Sequence, residues 1–381
     1  MFRYSKLFFF LTFISLASCA QETEYKVSKV KQPTQKTHSK FSINDFLTEN
    51  QALEFQTDSI FNSLSKKERV AQLIMPAAGK YGKSHETING LIKDGLIGGI
   101  LMLNGTVDEF TKWIKGYNKL NLTNGNLPFL YSADAEPSLV NRKIMGSTPV
   151  KKANEIESIE EVESVTQKIS TDLNKIGINY NFSPVVDMSP NSTVGYRSFG
   201  KNPENIIPWS NQFIQTTQKN NIIATAKHFP GHGLVSGDTH KSLQVINGDL
   251  QEIQNYPPLI QNGVLSIMVA HIAIENNAAF STNGLPATCS PKIVRDLLRD
   301  SLKFKGLIVT DAMNMGGVRN VPNNSIRAIA AGCDILLMPA DARIAHRELL
   351  DSYNKNLDGI QKTIDSSVKR MIRMKLCLGL L

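Results

Sequence analysis

Cysteine is scarce: four residues in a chain of 381, at Cys19, Cys289, Cys333 and Cys377. Spacings this wide give neither a disulfide framework nor the paired ligands of a structural zinc site. The last three read as small buried side chains. No GxGxxG or GxxxxGKS segment follows an early apolar run, which removes the usual phosphate cradles of nucleotide-binding folds. No dense basic block with interleaved aromatics occurs, so the formal charge of +8 is a mild excess without a nucleic-acid footprint. Two of those charges, Arg3 and Lys6, lie in a segment expected to be removed. Lys362, Lys369, Arg370, Arg373 and Lys375 cluster further on and are expected on the solvated face of a last helix. With 41% hydrophobic and 20% charged residues, the composition is that of a globular chain with a large core.

The main apolar stretch near the start, residues 7–16, follows Arg3 and Lys6 and is too short to span a membrane stably. It reads as a secretory signal ending in Leu16-Ala17-Ser18-Cys19, a lipobox-like sequence. Residues 1–18 are therefore expected to be a lipoprotein signal peptide, with Cys19 lipidated and anchored to a membrane. Ala20 follows the cysteine, with no Asp to retain it at the inner membrane; by resemblance to bacterial lipoproteins, the expected location is the cell envelope, at the outer membrane. Lys, Gln, Thr and Ser dominate residues 20–45, and 19–50 is read as a flexible tether.

Beyond residue 50 short apolar runs recur at 72–75, 99–103, 128–133, 178–186, 222–226, 266–270, 306–310 and 334–338. Longer stretches of helical composition, such as 156–176, 203–220 and 291–302, lie between them. Strands alternating with helices imply parallel βαβ units. Eight such units point to an α/β fold of the (β/α)8 barrel type over residues 51–381. An open doubly wound sheet is the runner-up and lacks its phosphate loop.

Polar residues fall at the ends of these runs: Asp134, Asp187, Lys227 with His228, His271 and Asp311. In a (β/α)8 barrel such ends converge on one face, where active sites lie. The densest segment is Lys227-His228-Phe229-Pro230-Gly231-His232-Gly233, followed by Asp238-Thr239-His240. Its histidines first suggest a metal. Pro230-Gly231 prevents the helix that would align His228 with His232, so no metal is assigned. Asp238 and His240, two apart on a Gly-rich loop, suit a different arrangement: the carboxylate holds one imidazole nitrogen and leaves the other for proton transfer.

At this point the sequence resembles the family 3 glycoside hydrolases, most closely their single-domain β-N-acetylglucosaminidase branch. The resemblance runs over most of residues 60–380. It rests on Leu64-Ser65-Lys66-Lys67-Glu68-Arg69-Val70-Ala71-Gln72-Leu73, Gly98-Gly99-Ile100, Ser183-Pro184-Val185-Val186-Asp187, Arg197-Ser198-Phe199-Gly200, KHFPGHG with DTH, the run 285–315 and Ala331-Gly332-Cys333-Asp334. It implies Asp311 as the nucleophile of a covalent glycosyl-enzyme, His240 as the acid/base and Asp238 as its partner. It further implies that Asp134, Arg197, Lys227 and His228 bind the sugar. A nucleophilic carboxylate must stay ionised, and Lys227 and Arg197 nearby are expected to help by lowering its pKa. A saccharide with terminal N-acetyl-β-glucosamine is the expected partner, with no cofactor. The branch it resembles stops near this length, without a second domain. Nothing in the sequence sets the oligomeric state.

The pattern departs from the family at Pro137-Ser138, where glycines are usual after the acidic residues, which bears on what lies beyond the first sugar. Ala312 stands where many relatives carry a second Asp. Two other readings share these residues: phosphorolysis of the same intermediate, since an imidazole acid/base does not repel phosphate, and a non-catalytic saccharide-binding lipoprotein.

Overall fold

The computed structural model describes residues 1–2, 40–188, 191 and 193–381. The signal, Cys19 and most of the tether lie outside the described residues. The described residues from Lys40 onward belong to one unit.

Its centre is a seven-stranded parallel sheet. Spatially the strands run Leu307–Thr310, Ser266–Val269, Ile223–Phe229, Tyr180–Asn181, Leu130–Ala133, Gly99–Met102 and Ala77–Ala78. All are buried on both faces, as expected for a parallel sheet covered by helices. This sheet is not itself a closed ring. A short parallel pair, Ile74–Met75 with Leu336–Leu337, stands between its edges. Pro76, which has no amide to donate, interrupts Ile74–Met75 and Ala77–Ala78. The other side is tied by a Val309–Ile335 bridge and by the Thr310 amide donating to Ile335 O at 3.0 Å. The arrangement is that of a (β/α)8-type barrel, regular over seven strands and frayed at the eighth position.

Helices begin where the sequence supplies caps. Ser65 and Thr106 form capping boxes with Glu68 and Glu109, opening Lys66–Ala71 and Val107–Thr123. Ser158 caps Ile159–Ile176, which ends at Gly177 with φ 97°, a left-handed position that glycine adopts without strain.

Two sequence expectations change here. The packed body starts before residue 50, because Phe41, Ile43 and Phe46 are buried and the Ile43–Leu47 turn docks on the last helix, where Arg373 donates to Phe46 O at 2.8 Å. A few apolar residues inside a polar stretch were enough to pin it. The basic cluster of Ile360–Cys377 is also not simply a solvated face. Arg370 pairs with buried Asp334 at 2.8 Å, and Lys375 is wholly buried, donating to Gln72 Oε1 at 2.5 Å and Gly98 O at 3.2 Å. Burial, with no acid beside it, pulls the Lys375 ammonium down to about 7. Cys289, Cys333 and Cys377 are free and buried.

Candidate active site

One cavity of about 500 Å³ opens among the strand ends, and Asp134, Arg197, Lys227, His228, His240 and Asp311 all line it. Asp238 stands behind His240. The strands explain the convergence. In parallel barrels the residues just past the strand ends share one face, and Asp134 and Asp311 directly follow Leu130–Ala133 and Leu307–Thr310. Lys227 and His228 differ slightly from expectation. They lie inside the strand Ile223–Phe229, where pairing with the neighbouring strand slips between Met268 and Val269. Such irregularities re-aim side chains next to active sites.

The floor of the cavity is a charged lattice. Lys227 Nζ lies 2.9 Å from Asp134 and 2.6 Å from Glu136. Arg197 grips Glu136 with two bonds of 2.8 and 2.7 Å, and Lys143 reaches Asp134 at 2.5 Å. Burial pushes both carboxyls up, but these cations outweigh it. Lys143 and Lys227 hold Asp134 far below the carboxylate range, and Arg197 with Lys227 lowers Glu136. Burial likewise opposes the Lys227 ammonium, and Asp134 and Glu136 overcome it and raise its pKa. Each charge is paired, as buried charges must be. The lattice presents fixed acceptors and donors to any polar group entering from above.

Asp187 anchors the next segment. Its carboxylate accepts from the His228 amide at 3.1 Å, from His228 Nδ1–H at 2.6 Å and from the His232 amide at 2.8 Å. That leaves His228 Nε2 as the nitrogen without a carboxylate. Glu252 lies beneath, taking the Met188 amide and the Gly233 amide, the latter at 2.9 Å. Burial, reinforced by the Asp187 charge, pushes the Glu252 carboxyl up to about 8. Gly231 and Gly233 have no room for a side chain: a Cβ would sit 2.4 Å from Glu252 Oε2 and 1.5 Å from Met188 O respectively.

Asp311 accepts from the Ala312 amide at 2.8 Å. Burial opposes its charge. His228, His271, the Ala312 amide and His240 outweigh burial and hold it below its ordinary value. The cations expected to do this, Lys227 and Arg197, are engaged with Asp134 and Glu136 instead. His271 is itself buried, bonded to Thr288 Oγ1 at 2.6 Å and to Ala312 O at 3.0 Å. His240 is the most open of the group, with 63% of its side chain exposed. Its Nδ1–H donates to Asp238 Oδ1 at 2.7 Å and its amide to the same oxygen at 2.9 Å. The imidazole is thus oriented from one side, with Nε2 left for the cavity.

Sequence reasoning left three contributors without a role here: Glu136, Asp187 and Glu252. For Glu136 a signal existed, since it stands two residues beyond Asp134 at a strand end, a spacing that puts side chains on one side in extended chain. Asp187 carried a similar signal at the end of its run. Glu252 lies on a short helical turn that does not directly follow any of the apolar runs, and only the folded chain brings it under the loop.

These features coincide with known proteins. Residues 65–374 match the model described as the glycosyl hydrolase family 3 N terminal domain. The chain belongs to this family. Among curated relatives, a Beta-hexosaminidase of Hydrogenovibrio crunogenus is 31% identical over 200 residues, which are 50% of this chain and 55% of that protein. The Beta-hexosaminidase A of Pseudoalteromonas piscicida is 31% identical over 239 residues, 55% of this chain and 40% of that one. The matches therefore span about half the length of these relatives. Among solved structures, a family 3 beta-N-acetylglucosaminidase from Paenibacillus sp. superposes with a TM-score of 0.76 at 27% identity, covering 84% of this chain and 63% of that one.

Proposed function

We propose that this chain is a retaining, exo-acting β-N-acetylhexosaminidase that removes terminal β-linked N-acetylglucosamine from cell-wall fragments or oligosaccharides. One observation carries the reading: a carboxylate held ionised, Asp311, shares a cavity with an imidazole oriented by a carboxylate, His240 on Asp238. Retaining hydrolysis needs these two functions, a nucleophile and a group that gives and then takes a proton. The hexosaminidase names of the relatives agree with it.

In this mechanism Asp311 attacks the anomeric carbon as the bond to the leaving oxygen breaks, and protonated His240 donates its Nε2 proton to that oxygen. Asp238 holds the Nδ1 proton and stabilises the imidazolium. A water, deprotonated by the now neutral His240, then attacks the anomeric carbon and releases Asp311 with retained configuration. Asp134, Lys227, Arg197 and His228 bind the sugar hydroxyls and the acetamido group. A neutral imidazole at the second step does not repel phosphate, so phosphate is the competing acceptor to test.

The test is hydrolysis of an aryl N-acetyl-β-glucosaminide by the wild type, Asp311→Ala and His240→Ala, with and without phosphate. Loss of turnover in Asp311→Ala and release of free sugar support hydrolysis. Equal activity in wild type and Asp311→Ala refutes the role of Asp311, and a phosphorylated sugar would reassign the acceptor.

We also propose that lipidation at Cys19, which follows from Leu16-Ala17-Ser18-Cys19, places the enzyme at the outer membrane. Detergent partitioning of the full chain against Cys19→Ala tests this. A wild type that stays in the aqueous phase rules it out.

A further inference from the structure

A second cleft of about 440 Å³ borders the active-site cavity, and Tyr196 lines both. Beyond Tyr196 its base is aromatic. Phe199 is buried and packs edge-on to Trp209, with ring centres 6.0 Å apart at 70°. Trp209 is partly exposed. The rim is polar: Asn154, Lys201 and Asn205 are exposed, and among the described residues their side chains have no hydrogen-bond partner.

The two walls of this cleft are held by one hydroxyl. Ser138 Oγ donates to Tyr196 O at 2.6 Å and accepts from the Ala153 amide at 2.9 Å. Ser138 is part of the Pro137-Ser138 departure, so the position where this chain differs from the family pattern builds the border between cavity and cleft. A glycine there could make neither bond.

We infer that this cleft is a second saccharide subsite, which takes the further pyranose units of a β-linked oligosaccharide whose terminal sugar occupies the active-site cavity. The inference rests on the hydrolase reading. A pyranose presents a face of C–H groups and a rim of hydroxyls, and the cleft offers the complement, ring faces and edges below with amides and an ammonium around. Its volume falls within the ~300–1,000 Å³ of small-molecule sites. Tyr196 lines both cavity and cleft, so the two spaces are neighbours across this residue, and a chain leaving the active-site cavity over Tyr196 would reach the cleft. The cleft contains neither member of the catalytic pair, so it acts on affinity for long substrates and leaves bond cleavage to the first cavity.

The full chain is assayed on an aryl N-acetyl-β-glucosaminide and on N-acetylglucosamine oligomers from the dimer to the pentamer. The expected kcat/KM rises with length. Trp209→Ala lowers it by about tenfold on the longest oligomers, the scale of losing one good ring contact, while the aryl glycoside is unaffected. The double variant Lys201→Ala, Asn205→Ala, confined to exposed positions, shows the same pattern more weakly and stands in if Trp209→Ala does not fold. A flat dependence on length, or equal losses on short and long substrates, overturns the subsite. Calorimetric binding of the pentamer to Asp311→Asn is independent of turnover. Binding that Trp209→Ala or the double variant weakens in that background supports the cleft even if hydrolysis fails, and binding indifferent to both refutes it.

Discussion

The amide of Gly316 donates to the carbonyl of His240 at 2.9 Å, and the next amide, Gly317, donates to Thr239 O at 3.0 Å. The loop carrying the imidazole is thereby laced to the segment that follows Asp311. A Cβ on Gly316 would stand 2.0 Å from the Lys241 carbonyl oxygen, so only glycine permits the approach. Gly316→Ala is therefore expected to displace His240 relative to Asp311. Misplacement on the order of 1 Å costs about 10²-fold in rate. The variant should keep its cooperative unfolding while kcat falls by about that factor, and an unchanged kcat would show that the lacing does not position the acid.

Asp238→Asn should act through proton transfer rather than binding. It removes the carboxylate that holds His240 Nδ1–H and leaves the imidazole itself in place. Positioned acid–base groups contribute about 10²–10⁴-fold. The loss should be largest for aglycones with poorly acidic leaving oxygens and shrink toward activated aryl leaving groups. A loss independent of the leaving group would place Asp238 in folding or binding instead.

Glu136→Gln should be felt in stability. Glu136 is wholly buried, and Arg197 and Lys227 both depend on its charge. Breaking a buried ion pair at one partner costs about 3–5 kcal/mol, because the remaining charge loses compensation. Denaturant unfolding should show a fall of that size. A shift under about 1 kcal/mol would mean that Asp134 alone satisfies both cations, a result in the range of surface pairs.

Glu252 predicts a pH signature. Burial and the Asp187 charge raise its folded pKa from 4.5 to about 8. Between these values the native protein keeps a proton that the unfolded chain has lost, so this group lowers stability as pH rises through the window and costs nothing below it. The wild-type stability curve should therefore fall more steeply than that of Glu252→Gln over this range. Parallel curves from guanidinium titrations would contradict the shift.

The barrel was legible because its signals are local. Apolar runs alternate with capped helices, and Asp134 and Asp311 stand one residue past their runs. What the sequence hid depends on contacts across long separations. Lys227 and Arg197, read as partners of Asp311, are claimed by Asp134 and Glu136, and only the folded lattice shows which acid each cation meets. Lys375 fits a solvated helical face by its type, yet the helix turns it into the core toward Gln72. Gly316 carries no chemistry to notice, and its value lies in the close approach of Lys241. Ser138 was visible as a departure from the family pattern, while its two bonds to Tyr196 and Ala153 required the fold.

The central claim is that Asp311 becomes covalently attached to the sugar. Intact-mass spectrometry after incubation with a ring-fluorinated N-acetyl-β-glucosaminyl fluoride, which slows release of the intermediate, tests it most directly. The predicted result is one added sugar unit, mapped by proteolysis to the peptide containing Asp311 and absent from Asp311→Asn. Turnover of the substrate with no adduct, or an adduct that persists in Asp311→Asn, would contradict it.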